Sequence, residues 1–420
     1  MKPITLVLFV LLLITACQKA DKESANTIIS ESVKSRIDST LKSFVDSGKV
    51  AGVSALIFEK NNEVYYNAFG YADREAKTPM DRKTLVRIFS MTKPVTGVAL
   101  MKLYEQGAFQ LDDPLSKYAP EFADMKVFKG VDASGKMILE PVKRPITIRD
   151  ITRHTAGFAI NQDTTALGKL LRETDPMNRT NTLSEMAKKL GSLPLAFHPG
   201  EQWSYGPSVD VQAFLVERLS GKTFDQFLQE NIFDPLGMKE TRYVIPPGDT
   251  SRLAALYYRN DDDGILSHVR DSQADTFYVR KWAMVPGGWG LTSSVDDYMR
   301  FARMLVNEGT LDNATILKPE TVKLMATSHL SDSITQRMWL PNKGQVGFGI
   351  DFAVRLRTPQ SEEENNGTVG EFFWDGAAST LFWVDPVNEL TAVLFVQLQP
   401  FDRVKLHKNF RDAVYGRYVP

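Results

Sequence analysis

The chain has 420 residues, 43% hydrophobic and 24% charged, a globular composition long enough for one large domain or two smaller ones. Its formal net charge of −1 leaves no basic excess to bind phosphates, so nucleic acid is not an expected partner. The five histidines are scattered, with no HExxH and no Cys/His cluster, so neither a metal nor another cofactor is expected.

The first segment, MKPITLVLFVLLLITACQKA, has one early lysine and an apolar core that ends at small residues. A membrane-spanning helix needs about 20 apolar residues, and this core is shorter, as in an export signal. The only cysteine of the chain, Cys17, sits directly after Ala16. This resembles the bacterial lipobox, in which the cysteine is lipidated and becomes the mature N-terminus. The expectation is a lipoprotein signal peptide over residues 1–16 and a polar tether over 17–28. Gln18 rather than aspartate follows the cysteine, which implies an exported, lipid-anchored envelope protein, held at the outer membrane facing the periplasm. The mature chain then has no cysteine and no disulfide.

An amphipathic helix is predicted near 29–47. VSALIFEKNNEVYYNAFGYAD follows, two apolar runs about a polar Asn61-Asn62 turn, the pattern of a hairpin. ITIRDITRHTAGF reads as a helix with Thr147 as cap and Gly157 as stop, and SVDVQAFLVERLSG as a helix closed by Gly221. NDDDG, Asn260 to Gly264, reads as a hairpin turn; it lacks the glutamate of a calcium loop. PGGWG, Pro286 to Gly290, lacks the Lys-Ser/Thr of a phosphate cradle. STLFWVDP and LTAVLFVQL read as a buried antiparallel pair, and a last helix spans about 402–417. The expected fold class is α/β (α+β): an antiparallel sheet flanked by helices and built from both chain ends. The sheet domain covers 29–120 and 280–420, and a mainly helical domain, 121–279, is inserted.

RIFSMTKPVTGVALMKLYEQG, Arg87 to Gly107, carries the chemistry. Proline is tolerated only in the first turn of a helix, so Pro94 fixes the helix start close to Ser90. Lys93 lies one turn along on the same face, an amine beside a hydroxyl. That pair suits an activated nucleophile, provided the amine is neutral when the oxygen attacks. The spacing alone is weak, since Ser39-Thr40-Leu41-Lys42 repeats it on a polar helix; a capping serine with a solvated lysine would look the same. No G-x-S-x-G occurs, so a nucleophile elbow is unsupported. Tyr205 stands in a Gly/Pro/Ser turn ahead of a helix. Trp374-Asp375-Gly376-Ala377 leads into a strand, where a glycine would let a substrate approach the backbone.

Together these elements resemble the serine β-lactamase and penicillin-binding-protein superfamily, including class C β-lactamases and family VIII carboxylesterases. Ser90-Met91-Thr92-Lys93 matches S-x-x-K, Tyr205 the tyrosine of Y-x-N, and Trp374-Asp375-Gly376 the third element, K-T-G in lactamases and W-x-G in many esterases. NIFDPLGMKET, PGGWGLTSSVDDYMRFARML and the closing strand pair agree, so the likeness covers about residues 30–415. The resemblance implies Ser90 as nucleophile forming an acyl-enzyme, and Lys93 with Tyr205 as its base. The N–H groups of Ser90 and Ala377 would form the oxyanion hole, and Trp374, Asp375 and Gly376 would contact substrate. His154 is expected to be structural, a hydrogen-bonded histidine in an H-T-x-G turn.

Two departures bear on the substrate. Pro207 stands where the family has asparagine, so that amide is lost. Trp374 and Asp375 replace the lysine that holds a substrate carboxylate and the hydroxyl residue after it, which removes a cation and adds an anion. An anion there would repel a carboxylate. The expectation is a serine hydrolase, carboxylesterase-like, taking small-molecule esters or amides with a neutral or cationic acyl group. A D-stereospecific peptidase or β-lactamase would need a cation brought in from another loop. A non-catalytic envelope binding protein of the same fold would have no reason to keep Ser90, Lys93 and Tyr205 together.

Overall fold

The computed structural model describes residues 27–160, 163–269 and 277–419. The signal segment and Cys17 lie outside the described residues. The first helix, α1 (Glu31–Asp46), is capped by Ser30, whose Oγ accepts from the Val33 N–H, and buries Val33, Ile37, Leu41 and Phe44 at three- to four-residue spacing. Strands β1 (Gly52–Glu59) and β2 (Asn62–Asp73) form the expected hairpin. Its turn is one residue earlier than the polar pair suggested. Lys60 and Asn61 both take positive φ, 51° and 63°, as a tight hairpin requires, and Asn62 already belongs to β2. Lys60 is held there because its N–H donates to the Glu389 carbonyl at 2.8 Å. Strand β3 (Thr78–Pro79) completes that edge.

Helix α2 (Thr92–Glu105) is buried from Thr92 to Met101, which explains its unbroken apolar run: it is a core helix and has no solvent face there. It packs against α3 (Ser208–Ser220), whose end is the left-handed Gly221. The helix expected from Thr147 is only Ile148–Thr152 and stops well before Gly157, because His154 takes φ 58°. Helix α4 (Val295–Val306) lies on one face of the sheet, against β1 and the last two of the five C-terminal strands. The five are β4 (Val346–Phe348), β5 (Ala353–Arg355), β6 (Phe372–Asp375), β7 (Leu381–Asp385) and β8 (Leu390–Val396). Helix α5 (Leu406–Tyr415) packs with α1 on the opposite face.

The sheet order is β4-β5-β6-β7-β8-β1-β2-β3, antiparallel throughout, with Val53 opposite Val396. The fold is therefore an α/β arrangement with an antiparallel sheet assembled from strands near both ends of the chain. Asn260 to Gly264 is the turn of a hairpin, Tyr257–Arg259 with Leu266–His268.

A buried ion triad ties α5 to β5. Glu371 Oε1 accepts from Arg355 Nε at 2.8 Å and from Arg411 Nη1 at 2.7 Å, and all three side chains are fully buried. Removing the shared anion leaves two buried guanidinium groups uncompensated, so Glu371→Gln is expected to cost about 3–5 kcal/mol. A urea titration of the variant against wild type reads this directly, and an unchanged midpoint would refute it.

Candidate active site

The chain enters the site through a strained turn. Phe89 takes φ 45°, residues 89–91 form a single 3-10 turn, and α2 begins at Thr92. Ser90 is therefore at the helix entrance, half-buried, while Lys93 is buried one turn inward. Lys93 Nζ lies 3.2 Å from Ser90 Oγ and donates to the Gly288 carbonyl at 2.6 Å. The carbonyl fixes one N–H and so aims the amine at the serine.

PGGWG, which the resemblance places ahead of a helix beside the site, supplies that carbonyl. A Cβ at Gly288 would stand 3.1 Å from Asp210 Oδ2 and 3.2 Å from Lys93 Nζ, so glycine lets the backbone touch the amine. The Gly288 N–H donates to Asp210 Oδ1 at 3.0 Å, and Thr96 Oγ1 donates to the Gly287 carbonyl at 2.7 Å. Two buried acids lie behind the amine. Burial pushes Asp210 up, against the opposing charge of Lys93. Burial pushes Asp351 well above the usual carboxylate range, against a hydrogen bond from Gln212 and the same charge.

Tyr205 comes from the segment leading into α3. Its ring lies under the amine, with Lys93 Nζ 4.5 Å from the ring centroid. Its hydroxyl accepts from Trp374 Nε1 at 3.4 Å, and no hydrogen bond joins it to Ser90 or Lys93 among the described residues. Aromatic rings enclose it: His154 at 4.7 Å, Trp339 at 5.0 Å and Trp374 at 5.6 Å. His154 is structural but is not hydrogen-bonded through its ring, since both ring nitrogens are buried without partners among the described residues. Burial, and then the nearby Lys93 charge, hold it well below the usual histidine range. It stays neutral and serves as a wall under Tyr205, with no part as a base.

The His154 turn is anchored by Asp150. Burial resists its charge, but Arg144 (2.5 and 3.0 Å), the Thr147 N–H (3.0 Å) and Thr155 (2.8 Å) outweigh that and leave it below the usual aspartate range. A depressed carboxyl contributes stability above its unfolded pKa of about 3.9 and loses it as pH falls through the lower folded value. Asp150→Asn should therefore be less stable than wild type at pH 7, with the gap in urea midpoints closing below pH 4. A gap independent of pH would refute the assignment.

Strand β6 brings Trp374 to Tyr205 and turns Asp375 the other way. The close approach that Gly376 permits is to the chain itself, where a substrate was expected. A Cβ there would stand 2.3 Å from Thr380 Oγ1 and 2.4 Å from the Ile88 carbonyl, so glycine lets the end of β6 close on the segment carrying Ser90. Ala377 is exposed, and its N–H makes no hydrogen bond among the described residues. Its turn is pinned from behind: His407 Nε2 bonds the Ser379 carbonyl at 2.8 Å, and Ser379 Oγ donates to the Leu398 carbonyl at 2.9 Å.

The anion expected beside the acyl pocket is not free. Asp375 is buried in an ion pair with Lys343, a cation delivered by a loop with no recognisable motif. The electrostatic ground for a cationic substrate is thereby removed, because the pair is neutral. Beside Tyr205, a cleft of about 570 Å³ is lined by Phe128, Ile160, Leu167, Phe197, Trp203 and Met338 among others. The Tyr205 N–H donates to Met338 Sδ at 3.1 Å, so the cleft borders the Tyr205 segment.

The Beta-lactamase family profile matches residues 37–416. Protein Rv1367c of Mycobacterium tuberculosis is 32% identical over 365 residues, covering 86% of this chain and 89% of that protein. Lovastatin esterase of Penicillium rubens is 26% identical over 406 residues, covering 91% and 98%. Among solved structures, EstCE1, described as a hydrolase with promiscuous acyltransferase activity, matches with TM-score 0.77 and 25% identity, covering 93% of this chain and all of that one.

Proposed function

Because the chain belongs to the Beta-lactamase family and is an enzyme of the serine hydrolase type, we propose that it is a carboxylesterase that takes uncharged acyl groups. The observation that carries this is the pairing of a Ser90–Lys93 contact at 3.2 Å with an aromatic wall, Trp374 and Trp339, in place of a free cation. Ser90 Oγ attacks the ester carbonyl carbon and its proton passes to Lys93 Nζ. The new oxyanion takes hydrogen bonds from the N–H groups of Ser90 and Ala377. The C–O bond to the alcohol then breaks, and the alcohol leaves with the proton. Water attacks the acyl-enzyme by the same route in reverse and frees Ser90. Tyr205, beneath the amine and held by Trp374, moves within reach of the leaving oxygen in this scheme.

An acceptor alcohol in place of water would make the same site an acyltransferase, and the cleft of about 570 Å³ beside Tyr205 has room for one. The description of EstCE1 agrees with that second reading.

The test is a pair of assays on residues 20–420. Turnover of p-nitrophenyl butyrate with little hydrolysis of nitrocefin is the expected result. Nitrocefin hydrolysed as fast as the ester would refute the uncharged-substrate reading.

A further inference from the structure

Asp375 and Lys343 invite a sharper statement about specificity, one that rests on the esterase reading above. A carboxylate-bearing acyl group bound against the Trp374 wall would need a nearby opposite charge to hold it. This chain has one. Lys343 reaches the Trp374-Asp375 end of the strand, beyond the stretch where β5 pairs with β6. Its Nζ lies 5.0 Å from the Trp374 ring centroid, 5.2 Å from Trp339 and 4.9 Å from Phe401. Trp374 is the residue whose indole N–H touches the Tyr205 hydroxyl, so the ammonium is one ring away from the reacting groups.

That charge is fully spoken for. Asp375 contacts it directly, three aromatic faces surround it, and the two side chains are only 8% and 10% exposed. A pocket of about 160 Å³ beside the pair, lined by Trp339, Lys343, Asp375 and Phe401, has room for a carboxylate-sized group. Inside a low-dielectric wall a net charge acts strongly across one ring, and a neutral pair does not.

We propose that Asp375 is a specificity-determining residue: it neutralises Lys343 and so denies carboxylate-bearing acyl groups the cation that would receive them. The residue in the lactamase hydroxyl position thus acts as an internal substitute for substrate charge. Removing either member unbalances the site in opposite senses. Asp375→Asn leaves a net cation, and Lys343→Met leaves a net anion.

The experiment compares kcat/KM for mono-p-nitrophenyl glutarate, whose acyl group ends in a carboxylate, with that for p-nitrophenyl valerate, and follows the ratio of the two. Wild type should favour valerate. Asp375→Asn should raise the glutarate-to-valerate ratio by about tenfold or more, at the low end of the coupling measured for close charge pairs. Lys343→Met should lower it by a similar factor, and the double variant should return it to the wild-type value. Each single variant tests the idea alone, so one that fails to fold leaves the other decisive. A ratio unmoved in a folded single variant, with wild type still favouring valerate, overturns the role of the pair and leaves the esterase reading standing. A wild type that takes both esters equally overturns the uncharged-substrate reading itself.

Discussion

Ser90→Ala is expected to abolish ester turnover, by at least about 10⁴-fold, the scale on which loss of a nucleophile is felt in serine hydrolases. Among the described residues the Ser90 hydroxyl has one hydrogen-bond partner, Lys93 Nζ at 3.2 Å, so its removal disturbs little that holds the fold. Thermal midpoints should agree within a few degrees while nitrophenolate release disappears. Intact-mass measurement adds a second readout: wild type, quenched in acid during turnover, should carry one acyl group, and the variant none. Residual turnover within tenfold of wild type would place the chemistry elsewhere.

Lys93→Ala is the second large effect, about 10²–10⁴-fold in kcat, the range attached to a positioned general base. A purely structural lysine would also lower activity if its loss loosened the site, so the decisive observation is rescue. Truncation leaves space beside Ser90, walled by the Gly288 carbonyl and the Tyr205 ring, where a small primary amine can sit. Added methylamine should restore part of the turnover, with a dependence on amine concentration and on the pH that sets its neutral fraction. Failure of any amine to rescue a folded variant would argue against Lys93 as the base. The same substitution leaves the burial that chiefly holds His154 down but removes the Lys93 charge that adds to it and that opposes the rise of Asp210 and Asp351. His154 should move back toward its ordinary range and the two acids further up.

Much of this site is written locally in the sequence. Ser90 and Lys93 share one helical turn with Pro94, and Tyr205 and Trp374 each sit in a short recognisable element. The strands of the closing pair, Leu381–Asp385 and Leu390–Val396, were legible because a continuous apolar run beside a polar turn permits little else. What was not legible depends on distant partners. Asp375 reads as an added anion until Lys343 arrives beside it from another segment. His154 reads as a hydrogen-bonded turn residue until Trp203, Tyr205 and Phe348 close around both nitrogens. The glycines of PGGWG resemble many loops, and their purpose shows only when a backbone carbonyl meets Lys93. The hairpin turn shifted by one residue because a contact to Glu389 fixed Lys60.

The pairing of β1 with β8 sets the order in which the enzyme comes to exist. Val53 meets Val396, so a ribosome must carry synthesis past Val396 before the central sheet can close. Leu398 and His407, which pin the Ala377 turn, are made later still. Until β8 is made, β1 keeps one unpaired edge, which is exposed to wrong partners. A nascent chain that stops short of His407 thus carries Ser90 and Lys93 without the finished turn beside them, so the site is withheld until those later segments are made.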